Sequence, residues 1–260
     1  AFRAAQLGLK VAVVERGKIG GTCLHIGCIP TKAMLESAAL LERVRHAGDY
    51  GIGIGEPTLD YAQIGARRDQ TVKRLWTGLK SLVDKNKVTW IQGTGRLDGP
   101  TTVRVKMAPD ADNPGGERVL SGTDVILATG SRVKSLPGLE PDGKRIVTSD
   151  DILTGAALPK DVIVIGAGAV GVEFASMYHD LGVKTTLLEY LPSLVPLEDR
   201  EVSQALERSF TRRGMTVMTS ARFDAKAVKA TKAGVTLTVG PEGEEPSEIQ
   251  AEMLLVATGR

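Results

Sequence analysis

Residues 162–190, VIVIGAGAVGVEFASMYHDLGVKTTLLEY, decide the fold. An unbroken apolar run, Val162 to Ile165, reads as a buried strand, the glycine turn follows it, a helical period follows the turn, and a second strand ends at Glu189. Gly166, Gly168 and Gly171 are spaced as G-x-G-x-x-G at the mouth of the helix. Each glycine has its own steric reason. Gly166 permits a tight turn, Gly168 lets backbone approach a pyrophosphate, and Gly171 brings helix and strand together. Phosphates then meet the free amides and the positive end of the helix dipole. Glu189 stands where a ribose presents its hydroxyls, and its charge repels a 2′-phosphate. With no arginine until Arg200, NAD is favoured over NADP. The bland alternative is a glycine turn that only packs a helix on a strand; the strand, the spacing and the acid together argue against it.

The amino-terminal stretch AFRAAQLGLKVAVVERG, residues 1–17, repeats the end of this pattern without its beginning. It reads as the last turns of a helix, a stop at Gly8, and a buried strand from Lys10 to Glu15. Glu15 ends its strand as Glu189 does, although an acid at a strand end is commonly just a solvated residue. The expected fold class is therefore α/β, with two tandem Rossmann-like dinucleotide-binding domains, the first lacking its initial strand and glycine loop. The predicted domains are 1–147, dinucleotide-binding with a small antiparallel insertion, and 148–260, NAD-binding. At the other end AEMLLVATGR reads as a strand running into a tight turn, so the chain reads as an internal piece of a longer enzyme.

Between these units the spacing predicts helices over about Pro30–Arg45 and Tyr61–Lys85. Strands are predicted in VTWIQGTGRL (88–97), TTVRVKM (101–107) and RVLSGTDVILATG (118–130), with the polar turn APDADNPGGE (108–117) between the last two. Residues 135–161 read as a connector.

Composition narrows the function classes. Thirty-three basic and thirty-one acidic side chains leave a formal charge of +2, and no polybasic block tracks a phosphate backbone or an anionic membrane. No apolar run approaches a membrane span of about 18 residues. Nucleic acid and membrane are thus not expected partners. With 42% hydrophobic and 25% charged residues the 260-residue chain reads as soluble and globular, with room for two cores.

The chain holds two cysteines, Cys23 and Cys28, inside GGTCLHIGCIP (20–30). Zinc would need about four ligands, and His25, His46 and His179 offer no convincing set, so no metal site is expected. A staple closing so short a loop restrains little of the unfolded chain. A reversible disulfide fits better, and two cysteines in a chain this long, unlike the framework of a small secreted domain, favour a reducing compartment. Cys28 lies just before Pro30 at a helix start, where dipole and open amides stabilise a thiolate, and Lys32 lies on the same helical face.

GGTCLHIGCIPTK (20–32), VILATGS (125–131), VIGAGAVGVE (164–173) and LLVATGR (254–260) together resemble the pyridine nucleotide-disulfide oxidoreductases, over essentially the whole chain. RAAQLGLKVAVVE (3–15) and KNKVTWIQGTGRL (85–97) are similar to the lipoamide branch in particular. His25 departs from the pattern, where the family more often has asparagine.

The resemblance implies a homodimeric flavoprotein that oxidises dihydrolipoamide, free or on a lipoyl-bearing protein of 2-oxo acid dehydrogenase or glycine cleavage complexes, and reduces NAD through FAD. It implies that Cys23 is the interchange thiol and Cys28 the sulfur against the flavin. Lys32 would lie near the flavin and pair with Glu173. Glu15, Gly21, Thr22, Gly95, Thr129, Gly130 and Ser131 would line the FAD site, the last three reading otherwise as an ordinary turn. Gly166, Ala167, Gly168, Ala169, Val170, Gly171, Glu173, Glu189, Phe223 and Gly259 would line the NAD site. None of the three histidines has the setting of the family's C-terminal base, so these residues alone are expected to bind FAD poorly and to turn over negligibly. A sister enzyme using glutathione, mercuric ion or another acceptor, and a scaffold without catalysis, stay open. Bacterial cytoplasm fits best, and the mitochondrial matrix also fits.

Overall fold

The computed structural model describes residues 1–109, 115–155, 157–241, 243 and 245–260. Two compact units emerge, one of residues 1–25 and 70–130 and one of residues 26–69 and 131–260. Part of the predicted polar turn, residues 110–114, lies outside the described residues.

In the first unit a short helix, α1 (Phe2–Gln6), leads to β1 (Ala12–Glu15), which begins two residues later than its predicted start at Lys10. Next comes α2 (Gly21–Ile26), a short helix where the sequence suggested only a loop. The long α4 (Tyr61–Lys85), which belongs to this unit from residue 70 on, has the predicted bounds and precedes β2 (Thr89–Leu97), β3 (Thr102–Met107) and β4 (Gly116–Ser121). β1 and β2 pair in parallel, and β2, β3 and β4 continue as an antiparallel meander. Of the strand predicted over residues 118–130, β4 holds the first part, and residues 122–130 form no strand. Ile126 and Leu127 are 85% and 66% exposed. Strand propensity alone does not make a strand, because backbone N–H and C=O groups need a neighbouring ladder, and none of the described strands pairs there.

The second unit opens with α3 (Cys28–Arg45), two residues before the predicted helix start at Pro30. Its central sheet is wholly parallel, in the order β5 (Ile146–Thr148), β13 (Met253–Val256), β6 (Asp161–Ile165), β7 (Lys184–Leu188), β8 (Thr216–Met218). The presumed connector 135–161 therefore carries a sheet strand, β5, and a short helix, α5 (Ser149–Thr154). Three residues are too few to show a period, which is why β5 escapes sequence reading. Beside this sheet lies an antiparallel one built on β11 (Val235–Pro241), which pairs with β9 (Ala221–Phe223), β10 (Lys229–Ala230) and β12 (Ser247–Ala251).

Strand alternation divides the core of this unit between two faces. Val162 and Val164 point with Leu187 and Leu255 toward α3 and toward α6 (Ala169–Asp180). Ile163 and Ile165 point with Leu188, Leu254 and Val256 toward Leu237 and Val239 of the antiparallel sheet. Met34 and Ala38 of α3, 1% and 0% exposed, sit in one cluster with Phe174, Met177 and Tyr178 of α6. That packing groups residues 26–69 with the second unit, across the sequence boundary drawn at 147/148. The amphipathic α7 (Arg200–Arg212) adds Phe210 to the same cluster. No described helix is long and apolar enough to cross a membrane.

Candidate functional site

At the end of β6 the chain turns through Gly166, with φ +97°. A β-carbon on Gly171 would stand 1.8 Å from the Gly166 carbonyl oxygen, and one on Gly166 would stand 2.7 Å from that of Ala257. Helix, turn and the end of β13 thus meet backbone to backbone, a distance only glycine tolerates. Gly168 differs. Its missing β-carbon would meet nothing within 4 Å, and its φ of −70° is open to any residue. Gly168 is also the N-cap of α6 and makes no side-chain cap bond, so the helix offers its first amides and its positive end to an outside group.

Glu189 follows β7 and is 7% exposed. Its Oε2 accepts from the Ala167 amide at 2.6 Å, inside the glycine turn, and its Oε1 from the Leu191 amide at 2.8 Å. Two charge-assisted bonds therefore hold the acid in place, and the remaining lone pairs are what it has for a ribose. The Val195 amide donates to Ala167 O at 2.8 Å. Val195 has φ +39°, an unfavourable region for a β-branched residue. No sequence signal marks Val195.

On α3, Lys32 Nζ donates to Glu173 Oε1 of α6 at 2.5 Å. The two side chains are 57% and 31% exposed, so the pair adds little stability and chiefly sets where the charges lie. Cys28 is exposed and opens the same helix, behind an N-cap, Gly27, that makes no side-chain bond. The far ends of the two helices are joined as well. Arg45 Nη1 donates to Asp180 O at 2.7 Å, and Arg213 pairs with the Asp180 carboxylate. Burial raises the Asp180 carboxyl above its ordinary range, against the pull of Arg213. Burial likewise lowers His179, and Arg213 adds to that effect.

The terminal turn belongs to this unit too. Gly259 O accepts from the Lys134 amide at 2.9 Å, and Arg260 reaches Ser131 Oγ at 3.1 Å and Asp150 Oδ1 at 2.9 Å. Arg260 was not among the expected residues. An arginine after A-T-G was the available signal. Phe223 lies in β9 opposite Val239, and its ring packs against the second core cluster.

In the first unit Glu15 ends β1, and its Oε1 accepts from the Gly17 amide at 2.8 Å. Gly20 and Gly21, at φ +124° and +69°, turn the chain into α2, which carries Thr22 and the exposed Cys23. Gly95 has a packing reason: a β-carbon there would press on Val14 and Val103 at 3.2 and 3.3 Å. Thr129 and Gly130 are exposed, the latter at φ +78°. Among the described residues no group of three or more His, Cys, Asp or Glu side chains is placed to hold a metal ion.

Comparison with known proteins extends this picture. The family model "Pyridine nucleotide-disulphide oxidoreductase" matches residues 1–260. The chain is 39% identical to a dihydrolipoyl dehydrogenase of Bacillus subtilis (strain 168), covering 100% of this chain and 55% of that protein. It is likewise 39% identical to the mitochondrial dihydrolipoyl dehydrogenase 1 of Arabidopsis thaliana, over 100% of this chain and 50% of that protein. Among solved structures, LpdA of Mycobacterium tuberculosis superimposes with a TM-score of 0.83 at 29% identity, covering 100% of this chain and 55% of that one. The chain thus spans about half the length of the curated relatives it matches.

Proposed function

The chain belongs to the pyridine nucleotide-disulphide oxidoreductase family, and on that premise we propose that it is the dinucleotide-binding and redox part of an enzyme that oxidises dihydrolipoamide and reduces NAD. The observation that carries the reading is the pairing of Lys32 with Glu173. It fastens the helix that opens with Cys28 to the helix that opens at the glycine turn.

The residues of the second unit fit a pyridine dinucleotide. Gly168 leaves open space where a pyrophosphate would lie, the first amides of α6 face it, and Glu189 brings a fixed negative charge to the ribose end. That charge favours NAD over NADP. For FAD, Glu15 would hold the ribose, and Gly21, Thr22, Gly95, Thr129, Gly130 and Ser131 would line the remainder. FAD and NAD supply, when bound, the two-electron sink that side chains lack.

The chain's own part is thiol exchange. In the oxidised form Cys23 and Cys28 share a disulfide. A substrate thiolate attacks Cys23 Sγ, the S–S bond breaks, and Cys28 leaves as a thiolate at the positive end of α3 with the Lys32 charge on its face. The second substrate thiol gives up its proton and attacks the mixed disulfide, expelling Cys23. Two electrons have then passed from the dithiol to the cysteine pair, and the substrate leaves as a disulfide. Lys32 of α3 and Glu173 of α6 orient each other. The substrate is a dithiol on a lipoyl-bearing protein, the assembly a homodimer, and the setting a reducing compartment, bacterial cytoplasm before mitochondrial matrix. Domains 1–147 and 148–260 remain the proposed FAD and NAD portions.

The test is Cys23→Ser and Cys28→Ser in the protein that carries this chain. Each is expected to lower dihydrolipoamide-dependent NAD reduction by about a thousandfold, with NAD affinity within about twofold of the unaltered protein. Retained dithiol oxidation would remove the reading.

A further inference from the structure

His25 is the residue of the cysteine loop that the proposed exchange leaves without a task. Its Nε2 lies 3.0 Å from the carbonyl oxygen of Ile19. A carbonyl oxygen only accepts, so Nε2 carries the proton and, in the neutral ring, Nδ1 carries the lone pair. The ring stands edge-on to Trp76 of α4, with centroids 6.2 Å apart and planes at 75°. Lys80 Nζ lies over the same indole, 4.0 Å from its centroid.

Ile19 is 7% exposed and packs with Val83 and Val88, so the carbonyl that receives the bond is anchored in the core of the first unit. Between that anchor and α2 comes Gly20, and α2 itself opens on Gly21, both left-handed; glycine by itself restrains a chain poorly. Side chains close the turn from outside. A β-carbon on Gly20 would stand 2.5 Å from Leu24 Cδ2, 3.0 Å from Leu79 Cδ2 and 3.2 Å from His25 Nε2. Cys23 thus sits on a six-residue helix whose entry is a glycine pair and whose last turn is tied back across that pair by His25.

We propose that His25 is a positioning residue for Cys23, clasping the glycine turn through Nε2–H to Ile19 O so that the thiol is presented in one orientation. The proposal rests on the reading of Cys23 as the interchange thiol, and it is tested without turnover. In the unaltered chain, nitrogen NMR of the imidazole is expected to show Nε2 protonated and Nδ1 bare. An Nδ1–H ring overturns the proposal even where variants fail to fold. Iodoacetamide labelling of the reduced chain, resolved by peptide mass, supplies the second readout. His25→Phe keeps a ring and loses the donor, and is expected to change the Cys23 rate by about threefold or more while Cys28 stays within about 1.5-fold. His25→Gln places an amide nitrogen as many bonds from Cα as Nε2, and is expected to restore the Cys23 rate to within about 1.5-fold of the unaltered chain. No change at Cys23, an equal change at both cysteines, or a glutamine variant that behaves as phenylalanine overturns it. Because labelling needs neither dithiol nor cofactor, a failure of the exchange reading would show separately, as a disulfide inert to dihydrolipoamide.

Discussion

Glu15 and Glu189 occupy the same place in two units and are held differently. Glu15 ends a parallel strand and Glu189 directly follows one, and each accepts from the amide two residues ahead, Gly17 in one case and Leu191 in the other. Glu189 has a second partner, the Ala167 amide of the glycine turn, and is buried. Glu15 is half-buried, and its bond from Gly17 is exposed. Beside its glycine turn, Glu189 has thus become part of the turn.

The sharpest way to break this comparison is at the glycines. Gly171→Ala drives a β-carbon to 1.8 Å from Gly166 O, where only backbone could yield, and a loss of about 3 kcal/mol or more is expected in urea unfolding. Gly21→Ala meets nothing within 4 Å and suffers only left-handed strain, about 1–2 kcal/mol. The acids come next. Glu189→Ala leaves the Ala167 and Leu191 amides without their acceptor, at a cost of about 2–4 kcal/mol, whereas Glu15→Ala should stay within about 0.5 kcal/mol because water replaces the carboxylate at Gly17. Equal losses would erase the distinction between the two acids.

Gly168→Ala separates fold from ligand. Its backbone accepts alanine and its surroundings are open, so stability should move by less than about 0.5 kcal/mol while NAD affinity, measured by calorimetry, falls about tenfold. The smallest effect is at the other end of α6. His179 is lowered from 6.5 chiefly by burial, so its contribution to stability is full above 6.5 and is lost as pH falls through the lower folded value. Asp180 is raised from 3.8 by burial, so its contribution is full below 3.8 and is lost as pH rises through the folded value. His179→Gln should therefore flatten the decline in urea midpoint just below pH 6.5, and an unchanged slope would deny the burial cause.

Much of this was legible in the sequence where sterics write the code. Gly166, Gly168 and Gly171 announced the turn because no other residue satisfies two of the three positions, and the four-residue apolar run before them announced a strand buried on both faces. Where partners decide, the letters were silent or misleading. Residues 125–130 have the letters of a strand and lack a ladder, β5 is too short to show a period, and α2 is built on two glycines that discourage a helix assignment. The Lys32–Glu173 pair spans 141 positions, and only the family resemblance suggested it. That Glu189 turns both oxygens toward backbone amides was not visible at all, since a strand-end acid looks the same whether its partners are water, ribose or peptide.

The exchange between a dithiol and the cysteine pair is tested most directly by mass analysis of the oxidised chain, digested without reductant, before and after dihydrolipoamide. The account predicts an intramolecular Cys23–Cys28 disulfide that opens to two thiols as one dihydrolipoamide per chain becomes lipoamide. Disulfides only between chains, or an internal bond that dihydrolipoamide leaves intact, would contradict it.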